Sequence, residues 1–324
     1  MKSRTLKDMT ATATLLALIT LLSVVVLVRH AGATFPGMNG RIVFGRFNPA
    51  IGDDDIYAVN PDGSHEVKIL AGPAECPRWA PDYNHIAVAS TAGAFVRVGI
   101  INSDGSGLTQ LAASATLNSG CGAWSADGSR IAFEAWDDTN PNLVPGVFTF
   151  RASDGGDLKR LTTNPFGAHD VPVDYSPDGT HLAFLRGNSL VNRHNGSVAL
   201  FIANADGTNP RQITPWGLAA ASARWSPNGS RILFGNKEGG IYSINPDGSE
   251  LLKIFQDVAL IGSDSFPTWS PDGTRILFVR LVIGPTVQLD LYSINADGTG
   301  LTQVTKTPDG PQEHYPDWGA LPLQ

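Results

Sequence analysis

A chain that begins partway through a repeat and ends with that repeat's missing head is built to close on itself. The recurring phrase here reads Trp79-Ala-Pro-Asp-Tyr83, Trp124-Ser-Ala-Asp-Gly128, Tyr175-Ser-Pro-Asp-Gly179, Trp225-Ser-Pro-Asn-Gly229 and Trp269-Ser-Pro-Asp-Gly273. The first copy has only the tail, Asn39-Gly-Arg-Ile-Val-Phe44, and the last only the head, Tyr315-Pro-Asp-Trp-Gly319. A ring joins two such halves, because the last residues supply the strand that the first unit lacks.

A second phrase alternates with the first: Asn60-Pro-Asp-Gly63, Asn102-Ser-Asp-Gly105, Ala152-Ser-Asp-Gly155, Asn204-Ala-Asp-Gly207, Asn245-Pro-Asp-Gly248 and Asn295-Ala-Asp-Gly298. Each phrase counts six units of propeller-blade length. Within a unit, strand A ends on the aromatic residue, and a Ser-Pro-Asp-Gly turn follows. Pro fixes φ at the second turn position and Gly accepts positive φ at the fourth. Strand B is Arg130-Ile-Ala-Phe133 or its equivalent, and strand C is Asp290-Leu-Tyr292 or Asp55-Ile-Tyr57. The Asn-x-Asp-Gly turn leads to strand D, which ends at Leu161-Thr162, Ile213-Thr214 and Val304-Thr305. Consecutive apolar residues in strand B require cover on both faces, as radially stacked sheets provide. The expectation is an all-β, six-bladed β-propeller over 39–319, with a tail at 320–324, closed by pairing of the C-terminal strand with N-terminal blade 1.

Composition agrees: 35 Gly, 22 Pro and only 16% charged residues in 324 suit many short strands and tight turns. With a net charge of −7 and no basic stripe, the chain lacks the footprint of a nucleic-acid binder. Lys2, Arg4 and Lys7 precede an apolar run at 10–28, followed by Ala31-Gly32-Ala33. Positive charge ahead of an apolar run directs the remainder across a membrane. The segment 1–33 reads as a signal peptide cut after Ala33, or as an uncut N-terminal membrane anchor, and 34–38 as a short linker. Either way the ring is extracytoplasmic: periplasmic, secreted or cell-surface. Cys76 and Cys121 each stand three residues before a motif Trp, at equivalent places in neighbouring units. A disulfide between blades and two buried thiols are both open readings.

These phrases resemble the TolB-type (WD-like) β-propeller repeat, x-Pro-x-Trp-Ser-Pro-Asp-Gly-x-x-Ile-Ala-Phe followed by Ile-Tyr-x-x-Asn-x-Asp-Gly. The resemblance covers nearly all of 39–319, with Tyr175 in place of Trp and Tyr83 in place of Gly as departures. It implies the propeller fold. The family's Tol-system member also carries an N-terminal α/β domain; 34–38 leaves no room for it, so the resemblance does not imply that member's role.

Strand alternation puts all Asp-Gly turns on one rim and the B–C and D–A loops on the other. The turns are alike in every unit and read as structural. The loops vary, with 47–54, 135–146 and 185–198 the most distinctive, so their rim and the channel mouth are the expected functional face. Arg46, Arg186 and Arg280 each follow the strand B Phe by two residues. Guanidinium groups so placed suit a carboxylate or phosphate, or pair with neighbouring acids. Trp136 and Trp216 offer stacking surfaces for sugars or a protein partner, or pack on the adjacent blade. His169, His194 and His314 fall on the same rim. Asp53-Asp54-Asp55 and Asp137-Asp138 lack calcium-loop spacing, and no His pair shows metal-ligand spacing, so neither metal nor cofactor is expected.

No Gly-x-Ser-x-Gly elbow is present. The function expected is a non-catalytic, monomeric propeller that binds a protein or glycan partner in the cell envelope, with a membrane tether if the leader is retained. The alternative is a glycan-active enzyme such as a polysaccharide lyase, with His169 or His314 as base and Arg186 or Arg280 neutralising a uronate.

Overall fold

The computed structural model describes residues 36–112, 114–140, 145–188, 197–219, 222–256, 266–283, 287–307 and 312–321. His194 and the apolar run at 10–28 lie outside these residues. Among the described residues, no helix is long and apolar enough to cross a membrane.

Among the described residues, twenty-four strands form six four-stranded antiparallel sheets. The first sheet holds β1 (Asn39–Asn48), β2 (Asp53–Val59) and β3 (Val67–Leu70). The second holds β4 (Ala74–Trp79), β5 (His85–Ala92), β6 (Phe95–Asn102) and β7 (Thr109–Leu111). The third is β8 (Asn118–Trp124), β9 (Arg130–Trp136), β10 (Gly146–Arg151) and β11 (Lys159–Arg160). The fourth is β12 (Asp170–Tyr175), β13 (His181–Gly187), β14 (Val198–Asn204) and β15 (Arg211–Gln212). The fifth is β16 (Ala223–Trp225), β17 (Ile232–Gly235), β18 (Gly240–Ile244) and β19 (Leu252–Gln256). The sixth is β20 (Thr268–Trp269), β21 (Arg275–Ile283), β22 (Val287–Asn295) and β23 (Thr302–Gln303). The remaining strand, β24 (Glu313–Ala320), joins the first sheet as its innermost strand, in the order β24-β1-β2-β3.

The ends of the propeller therefore meet in one sheet. Ile42 pairs with Trp318 and Val43 with Asp317 across the seam. The split-repeat closure is the structure's topology, and the fold is a six-bladed β-propeller. Inner strands touch their neighbours in a circle, β24 lying between β20 and β4.

Cores form between blades. Six apolar clusters each draw on two adjacent sheets, so both faces of every sheet are covered. The seam is one of them: Ile42, Phe44, Val59 and Trp318 pack against Leu277, Val279, Leu291 and Val304 of blade 6. This is why Ile131, Ala132 and Phe133 are all buried although successive strand residues face opposite ways.

Both turn phrases adopt the expected form. Gly128 N donates to Ser125 O at 2.9 Å and Gly207 N to Asn204 O at 2.8 Å, with φ of 70° and 85°. Tyr83, in the glycine position of blade 2, takes φ 56° and still closes its turn onto Ala80 O. The C–D turn glycines also touch the previous blade: a Cβ on Gly207 would lie 2.0 Å from Leu161 O, and one on Gly63 2.3 Å from Val304 O. Strand D is shorter than its sequence suggests. The hydroxyls of Thr162, Thr214 and Thr305 instead accept from Val147 N, Leu200 N and Leu291 N of strand C. Each threonine so replaces one ladder bond and lets the chain turn inward to the next blade.

Candidate binding face around the channel mouth

Each inner strand enters the ring from the loop rim and runs down the axis. The residue just before its motif aromatic faces the channel. Around the ring these residues are Asp317, Arg78, Ala123, Asp174, Arg224 and Thr268, and together they line a cavity of about 30 Å³. The order Asp, Arg, small repeats twice, giving the channel a twofold charge pattern. Asp317 accepts from Trp79 N, and Asp174 from Trp225 N, each at 2.9 Å, so each acid bridges to the next blade. Arg224 donates to Val173 O at 2.8 Å, and Arg78 to Pro77 O at 3.1 Å. Burial lowers the Arg78 pKa and raises that of Asp317, each opposed by the other's charge. The cavity has room for water but not for a sugar or peptide.

Above the ring, the mouth is lined by the starts of the inner strands. Cys76 and Cys121 form a disulfide between blades 2 and 3, with Cα atoms 5.5 Å apart. Across the seam of blades 6 and 1, Phe266 and Tyr315 meet edge to face at 4.7 Å. Cys76, Tyr315 and Phe266 occupy the same repeat position and all take positive φ, of 55°, 51° and 40°. Glu75 stands beside Cys76, and burial together with the charges of Asp53 and Asp54 pushes its carboxyl up, His314 opposing.

The nominated residues are placed as follows. Arg46 donates to both carboxylate oxygens of Glu66, at 2.7 and 2.8 Å, and to Glu313 at 2.6 Å. Its guanidinium lies 4.3 Å from the Tyr57 ring centre. Burial works against its charge, but Glu66 and Glu313 outweigh it and push the pKa further up. Glu313 is fully buried on β24, where it also accepts from Thr307 at 2.8 Å, Leu291 N at 3.0 Å and the Thr305 hydroxyl. Arg46 thus fastens the seam.

Arg186 is buried and forms a two-point pair with Asp170 at 2.8 and 2.7 Å, sandwiched by Phe184 and Phe201. Arg280 lies over Tyr292, its guanidinium carbon 5.0 Å from the ring centre. The three arginines thus share a role that the repeat position foreshadows: each covers the strand C aromatic of its own blade. They sit in three separate blades, 1, 4 and 6.

His169 is hydrogen-bonded to Glu134 of blade 3, and His314 to Asp54 at 3.2 Å. Trp136 is the last residue of β9 and lies over Gly120, where an added Cβ would sit 3.3 Å from the indole. Trp216 packs on Phe201 at 5.9 Å and meets Phe166 edge to face at 5.7 Å. Phe166 is half exposed, at 48%. Of the acidic runs, Asp55 is held by Lys68, Gly72 N and Asn48, while Asp137 receives Thr116 and Thr139 and Asp138 receives Asn118. Among the described residues, no group of three or more His, Cys, Asp or Glu is arranged to hold a metal ion.

Sequence reasoning passed over Glu75, Phe166, Phe266, Tyr315 and the inner charge ring. The ring is readable only by aligning the position before each motif aromatic across blades. The mouth aromatics Phe266 and Tyr315 share their repeat position with Cys76 and Cys121, and the mixture of residue types there hides the equivalence.

A closed six-bladed ring with a varied loop rim defines a propeller module. The chain belongs to the TolB beta propeller domain family, whose model matches residues 42–256. Among solved structures it is similar to TolB from Acinetobacter baumannii, at TM-score 0.68 and 19% identity over 87% of this chain and 67% of that one. It is also similar to the putative TolB from Agrobacterium tumefaciens, at TM-score 0.58 and 16% identity over 82% and 88%. An oligogalacturonate lyase from Vibrio parahaemolyticus follows at TM-score 0.54 and 13% identity, covering 85% and 78%. Identities this low carry the fold alone. No curated protein matches the chain.

Proposed function

We propose that this propeller is an extracytoplasmic, non-catalytic binding module whose loop rim and channel mouth hold a protein or glycan partner. One observation carries the reading: the rim's polar candidates are spent on one another, while aromatic surface remains on the same rim. Arg186 gives its donors to Asp170 and Thr163 O, and Arg46 to Glu66 and Glu313, so neither presents a guanidinium to a uronate. His169 and His314 are each held by a carboxylate. Phe166 with Trp216, and Phe266 with Tyr315, offer rigid apolar faces of the kind that anchor partners or stack on sugars. The TolB structures and a nidogen propeller, solved in a nidogen/laminin complex, share this architecture at 10–19% identity. The Cys76–Cys121 disulfide supports an oxidising compartment.

The test immobilises the folded propeller and exposes it to envelope extract and to a panel of soluble glycans. Phe166→Ser and Glu75→Gln should each weaken capture at least about tenfold, as loss of an interface anchor does, while leaving the melting temperature unchanged. Capture that survives both substitutions would remove the loop rim as the binding face. Unsaturated sugar ends released from a uronate polymer would overturn the non-catalytic assignment.

A further inference from the structure

The turn rim carries a slot that four of the other blades fill with an arginine of their own. One residue before the buried apolar residue of strand B, the six blades carry Arg41, His85, Arg130, His181, Arg231 and Arg275. Each arginine reaches across strand C to the C–D turn. Arg41 donates to His65 O at 3.2 Å, Arg130 to Asp157 O at 2.7 Å, Arg231 to Glu250 O at 2.6 Å and Arg275 to Gly300 O at 3.4 Å. All four acceptors lie on residues with positive φ, from 50° to 67°. On the way, three of the arginines bond a strand C hydroxyl: Thr149, Ser243 and Ser293.

Blade 2 lacks the donor parts of this staple and keeps its acceptor, a glycine carbonyl like Gly300 O of blade 6. His85 replaces the arginine, Ile100 replaces the hydroxyl, and Gly107, with φ 72°, holds the acceptor position. Gly107 O receives the Thr109 hydroxyl at 3.3 Å and no guanidinium. The A–B turn departs too. In blades 3, 4 and 6 a turn serine bonds the turn Asp, as Ser125 bonds Asp127 at 2.6 Å, but blade 2 has Ala80 there. Asp82 bonds His85 Nδ1 instead, at 2.6 Å, and its side chain stays 47% exposed. These departures share one pocket of about 390 Å³, lined by Asp82, His85, Ile100, Gly107, Thr109 and, from blade 3, Trp124. That volume falls in the range of small-ligand sites, roughly 300–1,000 Å³.

Blade 4 is the internal control. His181 and Ile202 repeat the first two departures, but Asp178 there is held by Ser176 and Thr180, and the His181 ring lies 6.5 Å from Trp225.

We infer that the blade 2 pocket is a docking site for an arginine side chain presented by a peptide or protein partner. Its methylenes would lie along Ile100 and Trp124, and its guanidinium would donate to Gly107 O, with Asp82 of the A–B turn as counter-charge in place of the C–D turn acids Asp157 and Glu250 that two of the intrachain arginines meet. A peptide is the source because the slot accepts a side-chain arm whose backbone lies outside it. The free amino acid would bring an added α-carboxylate to the mouth of the slot on a chain of net charge −7, which a capped peptide does not. This site is on the rim opposite the channel mouth, so its failure and the failure of the loop-rim reading are separable.

The experiment titrates the exported, folded protein with a capped Gly-Arg-Gly peptide and follows NMR shifts at Ile100 and Thr109. Capped Gly-Lys-Gly, capped Gly-citrulline-Gly and free arginine serve as comparison probes. The arginyl peptide should move both resonances in a saturable way, and the citrulline peptide and free arginine should bind at least about tenfold more weakly, the cost of a lost charged hydrogen bond. Asp82→Asn should weaken the arginyl peptide by a similar factor. His85→Arg supplies the missing staple from within: it should abolish peptide binding and raise the melting temperature. Absence of shifts, equal binding of the citrulline peptide or free arginine, or peptide binding that persists in His85→Arg would overturn the proposal. A lower melting temperature for His85→Arg would overturn the equivalence on which it rests.

Discussion

Trp318→Ala tests the seam in energetic terms. Trp318 is 5% exposed and packs between blade 1 and the Leu277, Val279 and Leu291 surface of blade 6. Its indole Nε1 donates to Gly40 O at 3.2 Å. A buried Trp removes roughly 150–250 Å² from water, which at about 25 cal/mol per Å² gives about 4–6 kcal/mol as an upper bound. Measured Trp→Ala costs of about 3–5 kcal/mol set the working figure. Trp269 gives the matched control: it is 6% exposed in the interface of blades 5 and 6, yet its indole N–H has no partner among the described residues. Trp269→Ala should cost about 3–5 kcal/mol from packing, and Trp318→Ala about 1 kcal/mol more for the lost hydrogen bond. Equilibrium urea unfolding followed by circular dichroism reads both. If Trp318→Ala falls within about 0.5 kcal/mol of the parent, as surface substitutions do, while Trp269→Ala shows its full cost, the seam does not bear the load assigned to it.

Arg186→Ala should destabilise by about 3–5 kcal/mol in the same assay, because it strands the fully buried Asp170 carboxylate; an unchanged melting temperature would return Arg186 to the list of free ligand-binding groups. Gly207→Ala should cost at least about 1–2 kcal/mol for the left-handed backbone alone, and more because Leu161 O occupies the Cβ site, so a neutral result in urea unfolding would contradict the packing of turn on blade. Acid should loosen the turn rim. The hydroxyls at Ser64, Ser106, Thr208, Ser249 and Thr299, followed by the backbone N–H groups of the same residues, hold Asp62, Asp104, Asp206, Asp247 and Asp297 below the usual carboxylate range. Depressed folded-state values contribute stability that is present above the unfolded Asp pKa of about 3.9 and lost as pH falls through the folded values. Melting temperatures recorded from pH 5 downward should therefore decline below about pH 4, and a rise over that interval would contradict the assignment.

The repeat made the fold legible because turn chemistry and closure are local or periodic. Pro and Gly at fixed offsets demand particular φ values, and a half-unit at each end demands a partner. The cysteines were legible as a pair, since equivalent positions on adjacent blades sit at one height; whether the sulfurs bond depends on the local geometry at Cys76. Pairing of the arginines with acids was one of two open readings, but the identity of the partners was not legible. Arg46 meets Glu313, 267 positions away in the chain, and Glu66 beyond a strand and a turn, and neither contact leaves a motif. Asp170 lies on strand A and Arg186 on strand B of the same blade, close in space but separated by a turn phrase that masks the pairing. The channel ring escaped because Asp, Arg, Ala, Asp, Arg and Thr at one repeat position resemble noise until read around the circle. Strand D was read two residues too long because Leu-Thr continues the β pattern, whereas the threonine hydroxyl has taken over the role of the ladder bond.

Everything proposed for either rim requires that the circle be shut by β24. Amide hydrogen exchange at single-residue resolution examines this most directly. Closure predicts that the ladder amides of β24 and β1 exchange only through global unfolding, as slowly as those of the β21–β22 hairpin in blade 6. Rapid exchange across Asp317 and Trp318, with the other five sheets still protected, would mean that the propeller is open at the seam and that neither rim is the continuous surface described.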